Sequence, residues 1–121
     1  MSKIADKVYN ILLEIFPQRL GPRVKREIYV RYAGQKLYFD FYIRELGIYI
    51  EVQGRQHTDF VEHFHTDKES FLKQKERDNA KIKFVQDKGK CLVRFNYDEE
   101  ITKELITKKL NAVLDGGCFY E

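Results

Sequence analysis

The sequence predicts an α/β domain in which a mixed four-stranded sheet is flanked by helices. Three runs of β-type residues lie between residues 27 and 53, and a fourth, at 90–95, follows a long charged segment. Because a helix separates the third and fourth strands, these two are expected to be parallel neighbours. A chain of 121 residues, 43% of them hydrophobic, can bury one core, so residues 1–121 are predicted to form a single domain.

The helices are indicated by the spacing of their apolar residues. Residues 3–16 place their aliphatic side chains on one stripe, and the stripe ends at Pro17. Residues 66–88 form a second, highly charged helix that stops at Gly89, and a third helix closes the domain before Gly116-Gly117. These helices supply the apolar faces that a sheet needs on its two sides.

A β-hairpin between residues 37 and 53 is predicted to bring two carboxylates together. The odd-numbered positions from 37 to 43 are apolar, as are the even-numbered positions from 48 to 52, and alternate side chains of a strand share a face. If the turn is Glu45-Leu46, the two apolar faces coincide and Asp40 lies directly opposite Glu51.

Two opposed carboxylates are expected to attract a cation. Directly opposed side chains lie about 4.5–5.5 Å apart, so ionised Asp40 and Glu51 would repel each other by roughly 3 kcal/mol at an effective dielectric constant of about 20. Hard oxygen ligands favour Mg²⁺, with Mn²⁺ as a substitute. The alternative is two solvated acidic residues on the exposed face of a hairpin.

Five segments in order resemble a known nuclease family. They are Phe39-Asp-Phe-Tyr-Ile43, Ile50-Glu-Val-Gln-Gly-Arg-Gln-His57, Phe64-His-Thr-Asp67, Phe71-Leu-Lys-Gln-Lys-Glu-Arg-Asp-Asn-Ala-Lys81 and Leu92-Val-Arg-Phe95. Together they are similar to the very-short-patch-repair-like branch of the PD-(D/E)XK nuclease superfamily, with Gln53 where the commonest members have lysine. The resemblance covers roughly residues 10–96 and implies a restriction-endonuclease-like αβββαβ core and a metal-dependent DNA endonuclease.

The resemblance also implies roles for the central residues. Asp40 and Glu51, with the backbone carbonyl of Val52, would hold Mg²⁺ for metal-assisted hydrolysis of a phosphodiester. Gln53 neither titrates nor carries charge, so it can only orient water or phosphate. His57, with an ordinary pKa of about 6.5, is then the candidate general acid or base.

Three further residues are candidates for the site. Asp78 lies in the middle of the apolar stripe of the second helix, and a buried carboxylate needs a partner. The resemblance implies that Asp78 serves the metal site or orients His57, whereas an ion pair with Lys75 or Lys81 is the alternative. Lys81 could face the scissile phosphate or pair with Asp78. Glu14, on the first helix, could be directed at the metal centre as in the family, or be a surface glutamate.

The charge distribution suits a DNA-binding protein. The formal net charge is only +3, but basic residues outnumber acidic ones strongly between residues 19 and 36. A basic segment beside an acidic site suits a polyanion that must approach carboxylates, although each residue could equally be solvated surface charge. The candidate DNA contacts are Arg19, Arg23, Lys25, Arg26 and Arg55.

The remaining features limit location and partners. The sequence contains no apolar run of about 18 residues, so no membrane-spanning helix is predicted. Its two cysteines, Cys91 and Cys118, lack the spacing of a metal site and fit a reducing compartment, so a cytoplasmic protein is expected. The substrate stays open between a nick at a mismatch, a double-strand cut by a homodimer and the resolution of a branched junction. A non-catalytic DNA-binding module that kept the fold is the alternative to an enzyme.

Overall fold

A computed structural model describes residues 3–17, 23–53 and 68–121 of the chain. Within these ranges, helices flank a five-stranded mixed sheet, which confirms the predicted α/β class. The elements in chain order are α1 (Lys3–Ile15), β1 (Val24–Tyr32), β2 (Gln35–Ile43), β3 (Ile48–Gln53), α2 (Lys68–Asp87), β4 (Cys91–Asn96), α3 (Lys103–Leu114) and β5 (Phe119–Tyr120).

The strands follow one another across the sheet in chain order. The pairs β1–β2 and β2–β3 are antiparallel, and β3–β4 and β4–β5 are parallel. The predicted parallel pairing of the third and fourth strands is therefore confirmed. The sequence predicted four strands, and the fifth was missed because a two-residue strand such as Phe119–Tyr120 has no periodicity to recognise.

The helices bury both faces of the sheet. One core cluster joins Val8 of α1 and Ile106 of α3 to Phe41 of β2. A second cluster joins Phe84 of α2 to Phe39 of β2. Helices α1 and α3 thus cover one face and α2 covers the other, so side chains of the central strands are buried on both faces.

The apolar side chains of β2 do not share one face as the sequence predicted. Leu37 and Phe39 belong to the cluster beside α2, whereas Phe41 and Ile43 belong to the cluster beside α1 and α3. The prediction of a single apolar face from 37 to 43 is therefore wrong, and the change of face occurs at Asp40.

This change of face coincides with an irregularity in the β1–β2 ladder. The register passes directly from the pair that contains Arg26 to the pair that contains Ile28. Between them, Glu27 has a φ of 55°, in the left-handed region that costs a non-glycine residue about 1–2 kcal/mol. Alternation predicts faces only for a regular strand, so the hydrophobic pattern does not reveal this departure.

Replacing Glu27 with glycine is expected to leave the free energy of unfolding unchanged or to raise it by about 1 kcal/mol. Glycine adopts positive φ without steric cost, although it also increases the entropy of the unfolded chain. Lys25→Gly, at an exposed and regularly paired position of the same strand, is the matched control and should cost about 0.5–1 kcal/mol. Urea unfolding compares the two, and equal losses would show that the backbone at Glu27 is unstrained.

Helix α2 buries charged as well as apolar side chains. Its buried residues are Asp78, Lys81, Phe84 and Val85, so the predicted burial of Asp78 is confirmed. The two apolar residues join the second core cluster, while the two charged ones lie nearer the N-terminus of the helix, beside β3 and β4. Among the helices that the structure describes, none is both long and apolar enough to cross a membrane.

Candidate active site

The carboxylate of Asp40 lies directly beyond the paired part of the β2–β3 hairpin. The ladder ends at the pair Phe41–Ile50, and this register, which the sequence predicted, makes Asp40 and Glu51 the next opposed residues. Asp40 Oδ2 accepts a hydrogen bond from the backbone N–H of Val52 at 2.7 Å. The side chain of Asp40 therefore continues the contact between the strands where the backbone ladder has stopped.

The surroundings of Asp40 disfavour its charge. The residue is only 8% exposed, and burial is the largest influence that raises the pKa of its carboxyl above the ordinary value. The hydrogen bonds from Val52 N–H and from the Tyr38 hydroxyl, the latter at 3.2 Å, oppose this rise, and the negative charge of Glu51 adds to it. Asp40 is thus a carboxylate whose ionised form would gain from a nearby cation.

Glu51 is held by two basic side chains. Its Oε1 accepts a hydrogen bond from Lys81 Nζ, and its Oε2 accepts one from Arg94 Nε at 2.8 Å. Arg94 lies beside Glu51 in the parallel β3–β4 register, and its Nη2 donates to the backbone carbonyl of Asp78 at 2.9 Å. Glu51, Lys81 and Arg94 are all at most 5% exposed.

Asp40, Glu51, Lys81 and Arg94 form a buried charge cluster that is formally neutral. The sequence predicted a cation beside the two carboxylates. In the structure, Lys81 and Arg94 both form ion pairs with Glu51. Lys81 pairs with Glu51, a partner that neither alternative for Lys81 had named. The neutrality of the cluster removes most of the repulsion expected between the carboxylates.

Sequence reasoning missed Arg94, although a signal for it was present. Arg94 interrupts an apolar strand between Val93 and Phe95, both of which are fully buried. A guanidinium at such a position requires an anionic partner. The pairing of this strand with β3 then makes Glu51 the partner nearest in register.

A polar cleft of about 410 Å³ adjoins the buried charge cluster. Gln53 and Asp78, both predicted site residues, line it together with Arg94 and with Phe119 of β5. Asn96 also lines the cleft, and its Oδ1 is a buried acceptor with no hydrogen-bond partner among the described residues. The cleft therefore offers amide and guanidinium groups of the kind that bind water or phosphate oxygens.

The remaining predicted residues are not gathered at this cluster. Glu14 is exposed on α1, which packs on the sheet face opposite the one from which Glu51 meets α2. Arg23 and Lys25 are exposed. The predicted residues Arg19, Arg55 and His57 lie outside the residues that the structure describes.

Arg26 has structural contacts that its surface position did not predict. Its Nη2 lies 3.0 Å from Asp6 Oδ1 of α1, and its guanidinium carbon lies 4.2 Å from the centre of the Tyr9 ring. These contacts fasten β1 to α1. The guanidinium is thus partly engaged within the protein, which weakens its claim as a DNA contact.

One relative of the chain is a viral protein. The chain is 36% identical over 77 residues to uncharacterized protein 307L of Invertebrate iridescent virus 6, an alignment that covers 64% of this chain. The aligned part is 39% of the viral protein, so the chain spans about two fifths of that relative's length. No family model and no solved structure matches the chain.

Proposed function

We propose that the chain is a metal-dependent DNA endonuclease of the very-short-patch-repair-like type that its sequence resembles. The observation that carries the proposal is the opposition of the buried carboxylates of Asp40 and Glu51. Arg94, which pairs with Glu51, also lines the polar cleft. A buried carboxylate with a perturbed pKa, such as that of Asp40, is characteristic of functional sites. The order α1-β1-β2-β3-α2-β4 is also compatible with the αβββαβ core that the resemblance implies.

The donor chemistry of the cluster fits Mg²⁺. In the described ranges, no group of three or more His, Cys, Asp or Glu side chains could hold a metal. Mg²⁺ commonly uses only one or two carboxylates and keeps several waters, however, so Asp40 and Glu51 are a sufficient protein set. Each carboxylate has about four acceptor sites, and the observed hydrogen bonds leave capacity on both.

Neighbouring residues would then orient the two carboxylates by hydrogen bonding. Val52 N–H and the Tyr38 hydroxyl fix Asp40, while Lys81 and Arg94 fix Glu51. When bound, Mg²⁺ would polarise the phosphate and lower the pKa of a coordinated water.

A neutral amide and a histidine complete the proposed set. Gln53, which is 4% exposed and lines the cleft, would orient water or a phosphate oxygen by hydrogen bonding. Because Gln53 cannot take up a proton, proton transfer is assigned to His57, as the sequence suggested.

A metal titration tests the proposal. Cleavage of labelled duplex, single-stranded and four-way-junction DNA is measured as Mg²⁺ or Mn²⁺ is added to protein first treated with EDTA. We expect metal-dependent cleavage of at least one of the three DNAs, and the pattern identifies the substrate form. Asp40→Asn protein, purified identically, controls for contaminating nucleases. Absence of cleavage under every condition would overturn the proposal.

A non-catalytic DNA-binding module is the second candidate, and one observation favours it. The positive charges of Lys81 and Arg94, which both pair with Glu51, balance the negative charges of Asp40 and Glu51. A protein that had lost catalysis could keep this cluster as a structural element. Such a module would bind DNA in the titration above, and its affinity would fall with salt, but no metal would produce cleavage.

A further inference from the structure

The exposed side of the β1–β2 hairpin carries a tyrosine pair. Tyr29 and Tyr38 are directly paired across the two strands, with ring centres 5.1 Å apart. Tyr29 is 59% exposed, whereas Ile28 and Val30 on either side of it pack against the second core cluster. The tyrosines therefore project from the face of the hairpin opposite α2, and the ring of Tyr29 is largely accessible.

A pair of basic residues lies next to the tyrosine pair. Arg31 and Lys36 form a pair of the same ladder on the same side as the tyrosines, and both are exposed. Lys36 Nζ lies 4.6 Å from the centre of the Tyr29 ring. An aromatic surface beside cations complements a single nucleic-acid strand, whose bases stack on the rings while its phosphates meet the positive charges.

The tyrosine pair is also continuous with the candidate active site. The Tyr38 hydroxyl donates a hydrogen bond to Asp40 Oδ1 at 3.2 Å. The Arg31–Lys36 pair and the Tyr29–Tyr38 pair lie on the same side of the hairpin, about 6.5–7 Å apart. The hydrogen bond from Tyr38 joins them to Asp40, the residue at which β2 changes face. A strand that stacks on the tyrosines would consequently lie close to Asp40.

We propose that Tyr29 and Tyr38, with Lys36 and Arg31, are a stacking platform for unpaired bases of a DNA substrate. The choice of DNA rests on the proposed nuclease function, whereas the stacking itself does not depend on catalysis. Bases inside a duplex are stacked on one another and offer their faces only at ends, gaps or branches. The platform therefore selects DNA that contains a single-stranded segment.

The test measures binding without cleavage. Fluorescence anisotropy is recorded for a labelled 12-nucleotide single strand and for the blunt duplex of the same length, in EDTA. We expect tighter binding of the single strand, and Tyr29→Ala should weaken it roughly 5- to 150-fold, the range for loss of one stacked base. Tyr29→Phe should bind as the wild type does. Leu72→Ala, which removes an exposed apolar side chain from α2, is the matched control and should have no effect.

Stacking has a signature that general loss of fold does not imitate. A 2-aminopurine base in the single strand should be quenched by the wild type and by Tyr29→Phe, but not by Tyr29→Ala at saturating protein. Lys36→Ala should reduce the slope of log affinity against log salt by about one phosphate contact. Unchanged affinity and quenching with Tyr29→Ala, a preference for the duplex, or tighter binding of the corresponding RNA would each overturn the proposal.

The two proposals fail separately. A protein that binds single-stranded DNA through Tyr29 but cleaves no DNA with metal keeps the platform and refutes the nuclease. A protein that cleaves with metal, and whose Tyr29→Ala variant binds and cleaves as the wild type does, keeps the nuclease and refutes the platform.

Discussion

Asp40→Asn is expected to lower the single-turnover cleavage rate by on the order of 10³-fold, because it removes one of the two carboxylates that would hold the metal. The substitution is nearly isosteric, and the asparagine Oδ1 can still accept the hydrogen bond from Val52 N–H. The fold should therefore be preserved. Rates measured at saturating protein over a range of Mg²⁺ concentrations check this expectation, and wild-type cleavage by the variant would remove Asp40 from the site.

The same variant should also change how stability depends on pH. Burial raises the pKa of Asp40, so the folded protein holds this proton more tightly than the unfolded chain does. The resulting stabilisation is complete below the unfolded pKa of about 3.9, and it is lost as the pH rises through the folded pKa. Asparagine does not titrate and has no such loss.

We therefore compare the melting temperature of Asp40→Asn with that of the wild type at two pH values. The variant's melting temperature minus the wild type's should be larger at pH 7 than at pH 4. Thermal unfolding followed by circular dichroism at the two pH values, in EDTA, measures the difference. A relative melting temperature that falls between pH 4 and pH 7 would mean that the ionised carboxylate is favoured in the fold and that Asp40 is not desolvated as its burial suggests.

The hairpin was the most predictable part of the site. Its register depends on local information, because the apolar residues on either side of the short turn share one core cluster in only one alignment. The opposition of Asp40 and Glu51 follows from that alignment. The parallel contact of β3 with β4 is non-local, and so the presence of Arg94 beside Glu51 required knowledge of the register across a crossover helix.

The apolar side chains of β2 change from one face of the sheet to the other at Asp40, and the hydrophobic pattern did not predict this change. It coincides with the positive φ of Glu27, and glutamate gives no sequence signal for that conformation, which usually marks glycine or asparagine. Lys81 was predicted to be near the site, but its partner was undecided. Helical spacing places Lys81 within reach of Asp78, and only the packing of α2 on the sheet brings it to Glu51.

Glu51→Gln is expected to lower the free energy of unfolding by about 3–5 kcal/mol, because it leaves Lys81 and Arg94 buried without their anion. For a domain of this size the melting temperature should fall by roughly 10–20 °C. The hairpin alone leads to the opposite expectation, because removing either carboxylate would relieve the repulsion between them and stabilise the fold. Glu69→Gln, which breaks an exposed ion pair with Lys73, is the matched control and should cost less than about 0.5 kcal/mol.

A second substitution shows whether the loss comes from unpaired charge. Adding Lys81→Met to Glu51→Gln removes one of the stranded cations and should recover a substantial part of the lost stability, since an apolar side chain of similar size replaces a buried ion at little cost. If Glu51→Gln melts like the wild type, or if Lys81→Met adds to the loss, the cluster is not held together by charge.

Because Glu51→Gln disturbs both stability and metal binding, loss of cleavage in that variant alone does not identify a ligand, and Asp40→Asn is the sharper test of the chemistry.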